Sequence, residues 1–178
     1  YKGQARVFGA DHSFYVVNGT STANKVIWHA YVTRDDVVLV DRNCHKSILH
    51  AIIMTGAIPI YLTGSRNDYG IIGPIAHERF SGAQLAEQIA NHPLLEGRDA
   101  PRIRLAVLTN STYDGLCYNT DMIVEQLQDR VEVLHFDEAW FGYAAFHPFY
   151  HGRHGMSRSR PRASGHPLLF ATQSPHKV

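Results

Sequence analysis

Short, largely apolar runs alternate along this chain with longer stretches whose apolar residues recur every three or four positions. Residues 14–17, 37–40, 58–62, 103–108, 131–136 and 168–171 are the runs, each of strand length. Residues 20–31, 46–55, 81–90 and 120–127 carry the helical spacing. Ser81 stands where an N-cap belongs, and Leu85 and Ile89 recur four apart behind it. A strand that is apolar along its whole length is buried on both faces. Alternated with amphipathic helices, such strands predict an α/β fold: a three-layer αβα sandwich around a mainly parallel sheet. Ligands of such sheets bind in the loops after the carboxyl ends of the strands. Asn18, Asp41, Asn110, Asp137 and Ser174 all fall at or just after those ends.

Two segments break the rhythm. Residues 64–81, with several glycines and polar residues, predict a long ordered loop. Residues 147–166 are rich in Gly, Arg, Pro and Ser and include the basic run Arg158-Ser159-Arg160-Pro161-Arg162. That run reads as a solvated loop, or as a contact with a partner subunit. No internal repeat is present.

Composition narrows the classes. A chain of 178 residues suits one domain with a sizeable core. Hydrophobic residues make up 44% and charged residues 19%, with a net charge of +1, so nothing points to nucleic acid or an anionic membrane surface. No apolar run is long enough to span a bilayer. Two cysteines, Cys44 and Cys117, make no disulfide framework and suit a reducing, cytoplasmic compartment. Twelve histidines raise the question of a metal. His45 and His50, or His151 and His154, give no helical ligand pair with a third ligand, and no metal site is predicted.

The chemistry concentrates at Ala171-Thr172-Gln173-Ser174-Pro175-His176-Lys177. Lys177 follows an apolar run, with a serine three positions before it and a histidine beside it. About 40 positions upstream, Asp137 ends another apolar run. A strand-end Asp followed by Ser-x-His-Lys suits an enzyme that holds pyridoxal 5'-phosphate (PLP). The lysine amine forms a Schiff base, the Asp pairs with the pyridine nitrogen, and hydroxyls hold the phosphate. Each residue also has a plainer reading. Thr20 or Ser21 could simply cap a helix. Asp137 could be a turn acid, Trp140 a core aromatic and His45 a surface histidine.

Six segments, in order across nearly the whole chain, resemble the PLP-binding domain of the bacterial ornithine/lysine/arginine decarboxylases. They are Asn18-Gly19-Thr20-Ser21-Thr22-Ala23-Asn24-Lys25, Val40-Asp41-Arg42-Asn43-Cys44-His45-Lys46-Ser47, Tyr69-Gly70-Ile71-Ile72-Gly73-Pro74, Thr109-Asn110-Ser111-Thr112-Tyr113-Asp114-Gly115, Phe136-Asp137-Glu138-Ala139-Trp140, and the run ending at Lys177. The resemblance implies the large domain of the PLP-dependent transferases, like that of aspartate aminotransferase. It implies Thr20, Ser21, Thr22 and Ser174 around the phosphate. His45 would lie on one ring face, Ala139 on the other, and Trp140 at the cofactor's edge. Asp137 would meet the pyridine nitrogen, Lys177 would carry the Schiff base, and His176 would serve in proton transfer. Pro175 departs from the family's pattern, in which a threonine or another small residue is expected; it removes an N–H donor from the turn.

The implied reaction is α-decarboxylation of arginine or lysine, with ornithine a third option, giving agmatine or a diamine and carbon dioxide. Polyamine metabolism and acid resistance are the implied settings. The implied assembly is a homodimer, extended in some members to rings. Trp140-Phe141-Gly142-Tyr143 resembles the arginine members, and residues 50–57 also resemble lysine members. Another fold-type-I PLP enzyme, such as an aminotransferase, and a non-catalytic paralogue stay open as alternatives. Family members are much longer, with further domains on both sides. Residues 1–178 are therefore expected to be an incomplete PLP-binding domain, inactive alone, with the acids that read the substrate's distal cation outside it.

Overall fold

The computed structural model describes residues 2–98, 101–157 and 164–177. Five strands form its sheet: β1 (Val37–Asp41), β2 (Ile58–Leu62), β3 (Ile103–Thr109), β4 (Val131–Glu138) and β5 (Leu168–Gln173). Their spatial order is β2-β1-β3-β4-β5, and every neighbouring pair is parallel. The helices are α1 (Lys2–Phe8), α2 (Gly19–Tyr31), α3 (Lys46–Thr55), α4 (Gly82–Ala90) and α5 (Thr120–Leu127).

The layers follow from the handedness of parallel crossovers. The chain moves outward from β1 to β2, then back past β1 to β3 and on to β4. Right-handed connections in opposite directions place their helices on opposite faces. On one face Trp28 of α2 and Ile48, Ala51 and Ile52 of α3 pack on Val38, Val40, Leu105 and Val107. On the other, Leu85 of α4 and Ile123, Val124 and Leu127 of α5 pack on Leu39, Ile60, Ala106, Leu108 and Phe136. All five residues of β1 are buried, as its unbroken apolar run demands. Each of its apolar side chains, Val37, Val38, Leu39 and Val40, contributes roughly 1.5–3 kcal/mol by leaving water.

The helix boundaries have local causes. The Ser81 hydroxyl accepts a hydrogen bond from Gln84 N, as expected of an N-cap. Asn119 caps α5 through Met122 N, and the His45 ring caps α3 through Ser47 N. Gly56 ends α3 at φ +73°, a left-handed conformation that costs glycine nothing.

One predicted strand does not form. Residues 14–17 are extended chain without a strand partner among the described residues, and Phe14 and Val17 are 79% and 82% exposed. An apolar run satisfies β propensity, but a strand also needs a neighbour for its backbone. β4 and β5 each run two residues further than the apolar pattern, which takes Asp137, Glu138, Thr172 and Gln173 into the ladder. The loop at residues 64–81 is ordered by an Arg66–Ile72 bridge and by a turn at His77–Phe80 that buries Phe80. The basic run at residues 158–162 lies outside the described residues. No described helix is long and apolar enough to cross a membrane.

Candidate functional site

The polar side chains gather at the carboxyl end of the sheet, around Asp137. Alternation along β4 turns Leu134 and Phe136 to the α4/α5 face, and His135 and Asp137 to the α2/α3 face. Asp137 is buried. Its Oδ2 accepts a 2.9 Å hydrogen bond from Asn24 Nδ2 on α2. Its Oδ1 lies 3.5 Å from the Thr172 hydroxyl, directly across the β4–β5 ladder. Among the described residues these neutral groups are its hydrogen-bond partners, and it makes no ion pair.

Asn24 reaches further. The same Nδ2 donates to Ser47 Oγ at 3.0 Å, and its Oδ1 accepts from Thr172 Oγ1 at 2.8 Å. Ser47 Oγ lies 2.9 Å from His45 Nδ1, and His135 Nε2 lies 3.1 Å from Thr172 Oγ1. A hydrogen-bonded chain thus runs from the buried His135 through Thr172, Asn24 and Ser47 to the exposed His45, with Asp137 hung on its centre. Burial pushes the His135 ring down to about 4, so it is neutral at ordinary pH, against the weaker opposing pull of Asp137. Cys44, next to His45, is pushed up to about 11 by burial and then by Asp41, so its thiol stays protonated and unreactive.

Glu138 points the other way and is fully buried. Its Oε1 accepts from Asn110 Nδ2 at 2.8 Å and from Gly155 N at 2.6 Å; its Oε2 accepts from Gln173 Nε2 at 2.9 Å. Desolvation outweighs these three donors and raises it from 4.5 to about 7. Glu138 thereby ties the end of β3, the β4–β5 connection and β5 to one carboxylate. Gly155 has to be glycine for the approach: a Cβ there would lie 2.9 Å from the Phe136 ring. Asp41 closes the crevice between β1 and β3, where the strand order reverses. Its oxygens accept from Asn43 N at 2.8 Å and Thr109 N at 3.2 Å. Burial raises this carboxyl too.

The remaining predicted residues surround this centre. Thr20, Ser21 and Thr22 form the first turn of α2, with Thr20 buried. Neither Thr20 nor Ser21 occupies the cap position. Asn18 does, at φ 70°, and its side chain makes no capping bond, so the first-turn N–H groups keep donors for another acceptor. Ala139 O accepts from Ser174 N at 3.1 Å, carrying the β4–β5 pairing past the ladder, and Ser174 is buried. Pro175–Lys177 form a short turn closed by Lys177 N to Ser174 O at 3.1 Å, with His176 and Lys177 exposed. Trp140 Nε1 donates to Ser111 O at 3.1 Å, and the indole stacks on Tyr113 with centroids 6.1 Å apart. Among the described residues no group of three His, Cys, Asp or Glu side chains could hold a metal ion.

Asn24, Ser47, Thr172, His135 and Glu138 were not singled out in the sequence as site residues. One signal was available. Thr20, Asn24, Ile27 and Trp28 are the buried residues of α2 and lie on one helical stripe, so an amide sits where the pattern calls for an apolar side chain. A buried amide needs partners.

The family model of the Orn/Lys/Arg decarboxylase major domain matches residues 2–178. Lysine decarboxylase LdcA of Pseudomonas aeruginosa is 64% identical over 174 residues, which cover 98% of this chain and 23% of that protein. The biodegradative arginine decarboxylase of Escherichia coli is 47% identical, with the same two coverages. In the solved structure of lysine decarboxylase A from Pseudomonas aeruginosa, the matching region superimposes with a TM-score of 0.92 at 63% identity, over 98% of this chain and 23% of that one. The chain thus spans about a quarter of the length of the relatives it matches.

Proposed function

The chain belongs to the Orn/Lys/Arg decarboxylase family, and on that premise we propose that it is the PLP-binding part of an enzyme that removes the α-carboxylate of a basic amino acid as carbon dioxide. Lysine is the preferred substrate. Identity to a lysine decarboxylase, 64%, exceeds that to an arginine decarboxylase, 47%, and supports this choice. Arginine is the second choice.

The observation that carries the reading is Asp137. A carboxylate buried at a strand end, whose partners among the described residues are neutral, is costly unless a cation completes it. A protonated pyridine nitrogen is such a cation. The other polar groups suit the rest of the cofactor. The uncapped first turn of α2, with Thr20, Ser21 and Thr22, would take the phosphate, joined by Ser174. His45 and Ala139 would flank the ring, with Trp140 at its edge.

Bound PLP would supply an electron-withdrawing ring that accepts the electron pair left on Cα when carbon dioxide departs. The chain's own groups would set the conditions. Asp137 would hold the proton on the ring nitrogen, and its burial makes that charge interaction stronger than it would be in water. Lys177 would anchor the cofactor through its amine. His176, its neighbour, would hold or deliver a proton at Cα. The buried Ser174 and Asp137 would keep water from the inner wall of the site. We place the enzyme in the cytoplasm, working as a homodimer or a ring of dimers. The free cysteines support the first point and exposed Phe14, Val17 and Tyr69 the second.

The test is product analysis on the full-length protein with PLP. Lysine should give carbon dioxide and a diamine in equal amounts, faster than arginine gives agmatine. Keto acid without carbon dioxide would identify an aminotransferase instead.

A further inference from the structure

The hydrogen-bond directions around Asn24 can be worked out from valence alone. Asp137 as a carboxylate only accepts, so the 2.9 Å contact takes an N–H of Asn24. The second N–H of the same amide faces Ser47 Oγ at 3.0 Å. The amide oxygen is then the acceptor for Thr172 Oγ1 at 2.8 Å, a shorter contact than the 3.5 Å from that hydroxyl to Asp137. With its proton committed to Asn24, Thr172 accepts from His135, whose ring proton therefore sits on Nε2. The fully buried His135 Nδ1 has no hydrogen-bond partner among the described residues, which suits a bare lone pair on a neutral ring. On the other side Ser47 Oγ accepts from Asn24 and gives its own proton to His45 Nδ1, which also accepts from Ser47 N at 3.2 Å. The outer nitrogen of His45 then carries the ring proton.

Flipping the Asn24 amide would set its oxygen against Asp137 Oδ2 and its N–H group against the Thr172 hydroxyl. The acceptor-only Asp137 therefore sets which way the amide faces, and the Thr172 and Ser47 hydroxyls, each able to donate or accept, hold the amide in place against it. From this geometry we infer that Asn24 is a positioning residue that aligns the Asp137 carboxylate and the His45 ring together, with the Thr172 hydroxyl anchoring it. The inference rests on the proposed role of Asp137 at the ring nitrogen. One amide joins α2, α3, β4 and β5, four elements far apart in sequence. The groups said to meet the cofactor at its nitrogen and on its face cannot shift independently.

The experiment uses the full-length enzyme and four substitutions: Asn24→Ala, Thr172→Val, Thr172→Ser and Asp137→Asn. Readouts are PLP affinity of the apo protein, the absorbance spectrum of the reconstituted enzyme, and kcat and KM for lysine. Partners that orient a primary ligand are worth on the order of 10–100-fold. Asn24→Ala should weaken PLP binding and lower kcat by that factor, with KM for lysine changed by less than about threefold. Thr172→Val, which keeps the shape and removes the hydroxyl, should do the same in weaker form and shift the absorbance band. Thr172→Ser, which restores the hydroxyl, should recover most of the loss. If Thr172→Ser is as impaired as Thr172→Val, packing is the cause and the inference is wrong. It is also wrong if Asn24→Ala leaves PLP affinity and kcat unchanged while Asp137→Asn lowers both. If Asp137→Asn itself changes neither, the cofactor role of Asp137 fails first. Should Asn24→Ala not fold, the Thr172 pair decides alone.

Discussion

Glu138→Gln should make the carboxyl end of the sheet more stable at alkaline pH, although it removes a charge held by three hydrogen bonds. Glu138 is fully buried and its carboxyl is raised from 4.5 to about 7. Between those values the unfolded chain gives up the proton while the folded one keeps it. Stability therefore falls as pH rises through this window. The whole of the loss is present above pH 7 and absent below 4.5. At about 1.4 kcal/mol per pK unit it amounts to roughly 3 kcal/mol. The neutral amide would avoid it at little cost in contacts. Its oxygen can still accept from Asn110 and Gly155, and the Gln173 amide can turn its own oxygen toward the new N–H group. The assay is hydrogen exchange of the full-length protein, read on peptides covering β4 and β5, with variant and parent compared at the same pH. At about pH 8 the variant should be protected by up to a few hundred-fold more, and at about pH 4.5 the two should coincide. Lower protection in the variant at the alkaline pH would refute the reasoning. It would mean that the three donors outweigh desolvation and that ionised Glu138 is a net stabiliser.

Three other outcomes are expected. Borohydride treatment of the full-length protein should fix PLP on Lys177, and Lys177→Ala should abolish the adduct; label on Lys25 or Lys46 would overturn the assignment. Asp137→Asn should lower kcat by far more than it changes KM for lysine, because the ring nitrogen needs its counter-charge most as negative charge builds on the ring. The His135 ring, lowered from 6.5 to about 4, should take stability from the sheet as pH falls from 6.5 through 4, since only the unfolded chain binds the proton there. Exchange of β4 in the Glu138→Gln background isolates that arm, and flat protection from about pH 7 to 4 would show that the folded protein charges this ring without penalty.

The scaffold was legible because its central strands β1, β3 and β4 are buried on both faces and its helices on one. Such burial prints a local pattern, and α3, α5, β1 and the Ser81 cap all match it. The same rule misled at residues 14–17, where apolar side chains stay exposed and the backbone finds no strand. Asp137, at the end of such a run, was equally legible as a candidate. What fastens it was not. Its partners lie 113 residues away on α2 and 35 away on β5, and no local spacing encodes a contact of that range. Glu138 was missed for the same reason. A carboxylate after a strand reads as a turn acid until donors from three other segments converge on it.

The Asp41 plug has a consequence for where ligands can go. In open parallel sheets the natural crevice for a ligand lies where the strand order reverses, here between β1 and β3. Asp41 already occupies it, and the N–H groups of Asn43 and Thr109 that could have greeted an incoming anion are turned onto the protein's own carboxylate. The vestibule is let to an internal tenant. A ligand that meets Asp137, as proposed, would lodge further along, over β4 and β5. There the floor is laid by a pair of strands joined through a long connection, so the pocket's depth and width can be re-cut without disturbing the middle of the sheet.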